Sequence, residues 1–175
     1  SHVRARQPQA GDEIIDGIAY RWLPTPPYQG NGFGRMKNIL SFMSQVWASA
    51  AELAAGFKPD VVIASSTYPM DIWVARRIAQ LANAARAQGS PARTKLVYEV
   101  HDLWPLSPIE LSGMSPWHPF ALICQSAEDA AYRHSDLVVI RFPDQAAVDG
   151  WYDSAAYRAL IPLRQQAADL ELISF

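Results

Sequence analysis

Short apolar runs alternating with stretches of helical periodicity constrain this chain more than any other feature. The runs are Asp60-Val61-Val62-Ile63-Ala64, Leu96-Val97-Tyr98-Glu99-Val100 and Leu137-Val138-Val139-Ile140. Each reads as a strand, and apolar strands of this kind are expected where both faces of a sheet are covered. Between them the period changes. From Arg35 to about Ala55, Met36, Ile39, Leu40, Met43, Val46, Trp47 and Ala50 recur at three- and four-residue spacings, which builds one apolar helical face. Gly56 is the expected end of that helix. A second helix runs from about Pro69 to Gln88, and a third from Pro116 to about His134. Strands alternating with helices imply right-handed crossovers and a mostly parallel sheet in an α/β, three-layer domain.

Ahead of this unit, Glu13 to Trp22 reads as a hairpin turning at Asp16-Gly17, a dipeptide that tolerates positive φ at both positions. Leu23-Pro24-Thr25-Pro26-Pro27 ends the second strand, and Tyr28 to Gly34 is a glycine-rich loop. Beyond Pro143 the chain reads as helical pieces broken at Gly150 and Pro162. The expected division is a domain over 1–142 and a tail over 143–175.

Composition narrows the function. Half of the 175 residues are hydrophobic and 18% are charged, as in a globular domain. A formal charge of -2 argues against broad nucleic-acid binding, which needs many phosphate-neutralising cations. Cys124 is the single cysteine, so no intrachain disulfide forms and no cysteine-rich zinc site is built. No apolar run reaches the roughly 20 residues that span a bilayer, and Ser1 to Gly11 lacks the apolar stretch of a signal peptide. The expectation is a cytoplasmic protein, with contact at a membrane surface left open.

In open α/β sheets, ligands sit beyond the carboxyl ends of the strands. That rule selects two loops, Ser65-Ser66-Thr67-Tyr68 and His101-Asp102-Leu103-Trp104-Pro105. The second places an imidazole beside a carboxylate. For His101 the alternatives are a ligand-facing group or a donor to a backbone carbonyl. For Asp102 they are a ligand contact or closure of the turn. The hydroxyls of Ser65 and Ser66 either bind a sugar or phosphate near a helix amino terminus or cap that helix. Asn31 and Arg35 stand at a helix entrance where they could meet a polar ligand. Trp104 reads as packing, and Glu128 and Asp129 as a solvated helix face. Gly30-Asn31-Gly32-Phe33-Gly34 lacks both the preceding strand and the spacing of a dinucleotide fingerprint. There is no G-x-S-x-G elbow and no metal-ligand spacing.

The order of segments from Asp16 to Ile140 resembles the N-terminal domain of GT-B-fold, family-4 retaining glycosyltransferases. It looks most like those building bacterial surface polysaccharide and lipopolysaccharide, including the fucosamine-type transferases. The likeness is carried by Asp16-Gly17-Ile18 through Pro26-Pro27-Tyr28 and by Gly30-Asn31-Gly32 with Arg35. It continues through Lys58-Pro59-Asp60 to Ser65-Ser66, Glu99-Val100-His101-Asp102-Leu103-Trp104-Pro105, Glu110 to Gly113, and Ser135-Asp136-Leu137-Val138-Val139. The resemblance implies a Rossmann-like half that holds the acceptor, opposite a C-terminal half that grips a nucleotide-sugar without a metal or other cofactor. His101 and Asp102 are then the catalytic residues, His101 at a position where relatives often carry arginine. Asn31, Gly32, Arg35, Ser65, Ser66 and Tyr68 line the substrate side.

The family pattern also places a first strand, a glycine-rich loop, a helix and a second strand ahead of Ser1, and a donor-binding domain after Phe175. The expectations are a chain inactive by itself and a sheet edge covered by another segment or by a partner, which could join copies into an oligomer. The rival reading is a non-catalytic α/β binding or interaction module.

Overall fold

A computed structural model describes residues 10–30, 32–65, 67–86 and 92–167. The chain divides into two compact units, Ser1–Val139 and Ile140–Phe175. The first opens with an antiparallel hairpin of β1 (Gly11–Ile15) and β2 (Ile18–Trp22), with Ile15 opposite Ile18 and Gly11 opposite Trp22. Its turn residues, Asp16 at φ 50° and Gly17 at φ 81°, both take the left-handed conformation that a two-residue primed turn demands. Helix α1 follows, over Phe33–Phe57. Polar contacts tie it to the hairpin and the proline-rich exit, among them Arg21 to Glu52 at 2.9 Å, Asn38 Nδ2 to Thr25 Oγ1 at 2.7 Å, and Gln45 Nε2 to the Pro24 carbonyl at 2.8 Å.

The helix runs through Gly56 rather than ending at it. Lys58 takes the left-handed position instead, at φ 45°, and its N–H donates to the Ala54 carbonyl. The cause is Pro59, whose ring disfavours the right-handed helical conformation in the residue before it.

A three-stranded parallel sheet forms the centre, in the order β3 (Val61–Ala64), β4 (Lys95–Val100), β5 (Leu137–Ile140). In register, Val61 pairs with Lys95 and Ala64 with Tyr98. This is the α/β, Rossmann-like arrangement that the strand–helix alternation predicts. Helices α2 (Asp71–Ala85) and α4 (Pro119–His134) cover one face. There Ala64, Leu96, Tyr98 and Val100 meet Ile72, Ala75, Cys124, Ala127 and Ala131 in one core. Cys124, Ala127 and Ala131 are fully enclosed, and their small side chains on one stripe let α4 approach closely.

The other face is different from expectation. Val61 (49% exposed), Ile63 (58%) and Leu137 (55%) stand open among the described residues. Helix α1 packs on α2, not on this face. An apolar run reports that a strand is apolar on both sides; it does not report which element covers each.

The amino ends of the strands are pinned by polar groups. Buried Thr94 donates from Oγ1 to the Pro59 carbonyl at 2.7 Å, and its N–H donates to Asn83 Oδ1 at 2.7 Å. Asp136 Oδ2 accepts the Leu96 N–H at 2.9 Å and pairs with Arg93. These contacts fix the sheet at one end and leave its carboxyl end to the loops.

The stretch from His101 to Ser115 is not all loop: α3 occupies Leu106–Ser112 and closes on Gly113 in the left-handed conformation. Helix α4 begins at Pro119, later than its expected start at Pro116, because His118 caps it by accepting the Phe120 N–H on Nδ1 at 3.2 Å.

The second unit holds α5 (Gln145–Tyr152) and α6 (Ala155–Ala167). Asp144 Oδ1 caps α5 and Ser154 Oγ caps α6. Gly150 and Pro162 lie inside these helices instead of breaking them; the break falls at Asp153-Ser154, where the capping hydroxyl sits. Trp151 packs between Phe142 and Tyr157, with ring centroids 5.5 and 4.1 Å away.

Candidate functional site

Parallel pairing of β3 with β4 brings their carboxyl ends side by side, so the loops after Ala64 and Val100 leave the sheet together. Alternation along β4 sends Leu96, Tyr98 and Val100 into the core and turns Glu99 the other way, onto the open face. His101, two residues on, and Ser65, just past β3, meet it there. Ser65 Oγ lies 2.5 Å from Glu99 Oε2 and 3.0 Å from His101 Nε2, and the imidazole stands 3.4 Å from the same carboxylate oxygen. The side chains of Glu99 and His101 remain 34% and 40% exposed, open to an incoming ligand.

The proton order follows from donor counting. A serine hydroxyl has one proton. Donated to the ionised Glu99 carboxylate, it leaves His101 Nε2–H to donate to Ser65 Oγ. The chain of donors runs from imidazole to hydroxyl to carboxylate. That order is the reverse of a serine nucleophile, whose hydroxyl gives its proton to the imidazole while the carboxylate holds the far ring nitrogen. The arrangement is therefore a partly exposed carboxylate acceptor whose neighbouring hydroxyl and imidazole donors are engaged with it and with each other.

Ser65 does not cap α2, whose N-cap is Met70, without a side-chain cap bond. Ser66 and Asn31 lie outside the described residues. Asp102 is exposed on the turn after His101. A second group gathers at the entrance of α1. Gly32 is its N-cap, and the Gly32 carbonyl accepts the Arg35 N–H at 3.0 Å. A Cβ on Gly34 would stand 3.3 Å from the Tyr28 Cβ, so the helix entrance lies close against Tyr28 at its Cα and Cβ. Half-buried Tyr68 is near enough to Arg35, Tyr28 and Asp71 to feel their charges. Burial first, then Asp71 and Tyr28, raise its phenol pKa, with Arg35 pulling it down. The Ser65–Tyr68 segment thus links the strand-end group to the helix-entrance group.

Two residues carry more than the sequence suggests. Trp104 packs edge-on against Phe120 at 5.6 Å, and its indole also donates to the Thr67 carbonyl at 2.9 Å, bridging the two strand-end loops. Glu128, expected on a solvated face, is 9% exposed. The small residues Cys124, Ala127 and Ala131 set the buried stripe of α4, and Glu128 falls one residue from Ala127 on its margin. Glu99 is the residue that site reasoning missed. Its signal is a carboxylate inside the Leu96–Val100 apolar run, at the end of the strand where ligands bind.

Two open concavities lie away from this group. One of about 390 Å³ is lined by Trp73, Leu122, Asp129 and Arg133, and another of about 220 Å³ by Pro105, Ile109 and Trp117. No cluster of three His, Cys, Asp or Glu among the described residues is arranged to hold a metal. No helix among them is long and apolar enough to cross a membrane.

Comparison with known proteins adds two family matches. Residues 125–175 match a domain of unknown function (DUF1330), a match that spans the second unit and reaches back into α4. Searches of curated proteins and of solved structures returned no match. Residues 2–148, which include both strand-end loops and all five strands, match the glycosyl transferase 4-like domain. That match covers most of the chain, and the protein belongs to the glycosyl transferase 4-like family.

Proposed function

We propose that this chain forms the acceptor-side wall of a nucleotide-sugar-dependent glycosyltransferase. The reaction is transfer of a sugar, with retention, to a lipid-linked or saccharide acceptor in bacterial surface polysaccharide or lipopolysaccharide synthesis, as in the fucosamine-type transferases. The observation that carries the reading is the Ser65–Glu99–His101 group at the carboxyl ends of adjacent parallel strands. A carboxylate accepts from sugar hydroxyls more strongly than a neutral group does. Asp102, Tyr68, Gly32 and Arg35 extend the wall, and Asn31 and Ser66 belong to the same two loops. In an enzyme of this kind donor binding falls to the C-terminal half. The protein works in the cytoplasm, at the inner membrane surface when the acceptor is lipid-linked.

The test is chemical-shift mapping with a water-soluble, short-chain prenyl-diphosphate-linked N-acetylhexosamine. Shifts concentrated at Ser65, Glu99, His101 and Arg35 support the assignment. Shifts confined to the groove of Trp73 and Arg133 contradict it.

The open apolar face at Val61, Ile63 and Leu137 favours a second reading, a non-catalytic module that recruits a partner. Light scattering decides between them. A monomer that binds the saccharide probe excludes the module reading, and a stable oligomer that binds no probe supports it.

A further inference from the structure

We infer that the groove between α2 and α4 is a saccharide-binding subsite, separate from the strand-end group, that takes a neutral, hydroxyl-bearing sugar ring against the indole of Trp73. The groove has a volume of about 390 Å³, within the roughly 300–1,000 Å³ of small-molecule sites. Trp73 comes from α2. Leu122, Gln125, Asp129 and Arg133 come from α4, where spacings of three and four residues set them along one face, and His134 stands at the helix end.

The lining matches both characters of a pyranose. Trp73 packs against the core yet stays partly exposed, so its apolar ring is held and still reachable. The negative face of an aromatic ring attracts the C–H groups on one side of a sugar. The hydroxyls then meet groups of both signs. Arg133 is exposed and has no hydrogen-bond or ion-pair partner among the described residues. Asp129, four positions earlier, does not pair with it; its Oδ1 accepts from Gln125 Nε2 at 2.8 Å, which leaves Oδ2 to a ligand. A phosphate in the groove would meet the Asp129 carboxylate, and an ammonium would meet the Arg133 guanidinium. A neutral ring uses both, donating a hydroxyl to the carboxylate and accepting from the guanidinium.

The position fits binding rather than transfer. Helices α2 and α4 cover the face of the sheet opposite the one onto which Glu99 turns, so a sugar held here lies apart from the strand-end group. Leu122 and Gln125 also line the second concavity, with Pro105 and Trp117. The groove thus continues along α4 toward the loop that carries His101, and an oligosaccharide extends in that direction.

The test titrates neutral disaccharides, N,N′-diacetylchitobiose and cellobiose, into the full chain, with inorganic phosphate as the charged control. The Trp73 indole N–H and the Gln125 side-chain amide resonances are followed. Saturable shifts with a disaccharide, and none with phosphate, are expected. Arg133→Ala, at an exposed position that leaves the core alone, weakens the binding about two- to tenfold, the equivalent of one hydrogen bond. Trp73→Ala abolishes it. No saturable shift with either disaccharide, a groove that answers to phosphate instead, or an Arg133→Ala chain that binds as the wild type does overturns the inference. Should Trp73→Ala not fold, Arg133→Ala still decides. Glu99→Gln separates this subsite from the strand-end site proposed above. Groove shifts that persist in Glu99→Gln support an independent subsite, and their loss overturns it. Groove binding in a wild type whose Ser65 and His101 resonances stay still keeps the subsite and counts against the strand-end reading.

Discussion

Ser65, just past β3, and Glu99 of β4 are 34 positions apart and meet at 2.5 Å because β3 and β4 are parallel neighbours in register. A shift of one residue in that register would turn Glu99 into the core and Tyr98 onto the open face. The polar staples at the opposite end of the sheet therefore act on the site from a distance. Replacing Asn83 by Ala removes the acceptor of the buried Thr94 N–H and the donor to its carbonyl. The expected loss is about 1–3 kcal/mol of stability by urea denaturation, the range for leaving buried polar groups unpaired. An unchanged midpoint contradicts the staple.

Glu128 also governs overall stability against pH. Its folded pKa of about 7 exceeds the ordinary value of 4.5, so the folded state binds its proton more tightly than the unfolded chain. The contribution is fully present below about pH 4.5 and is lost as pH rises through about 7. At one unit per 1.36 kcal/mol the loss is roughly 3 kcal/mol at pH 8. Thermal melts of Glu128→Gln between pH 5 and 8 should show this loss removed. Parallel curves for variant and wild type would contradict it.

Trp104→Phe keeps the edge-on packing against Phe120 and deletes the indole donor to Thr67. A net loss of about 0.5–1.5 kcal/mol is expected, the usual contribution of one hydrogen bond. Faster amide exchange in both strand-end loops should accompany it. Faster exchange in only one loop contradicts the bridge.

Ala127 is fully enclosed beneath α4, so Ala127→Leu forces added methyl groups into a filled core. Overpacking of this kind costs about 1–3 kcal/mol. A variant as stable as the wild type in urea denaturation would mean that the helix does not lie close against the core.

Much of this was readable in the sequence, and the reasons are local. The hairpin turn at Asp16-Gly17 follows from two residues that accept positive φ. The three strands and the helices between them follow from periodicity. The rule that ligands meet strand ends selects the loops of Ser65 and His101, which the parallel pairing of β3 and β4 brings side by side. What escaped were facts that depend on neighbours distant in the chain. Glu128 reads as polar surface because its burial comes from how α4 packs in the folded chain, which its neighbours in sequence do not record. The open face of β3 looks like a covered one, since an apolar strand carries no record of its cover. The α3 helix was hidden because prolines at 105 and 108 read as loop, although Pro105 sits ahead of the helix and Pro108 in its first turn, where a missing N–H is tolerated.

The central claim is that Glu99, held by Ser65 and His101, accepts hydrogen bonds from a bound sugar. Calorimetric titration of the short-chain prenyl-diphosphate-linked N-acetylhexosamine into wild type and Glu99→Gln tests it most directly. Loss of a charge-assisted bond of about 1.5–3 kcal/mol predicts affinity weakened roughly ten- to a hundredfold. Equal affinity in the two proteins would contradict the claim.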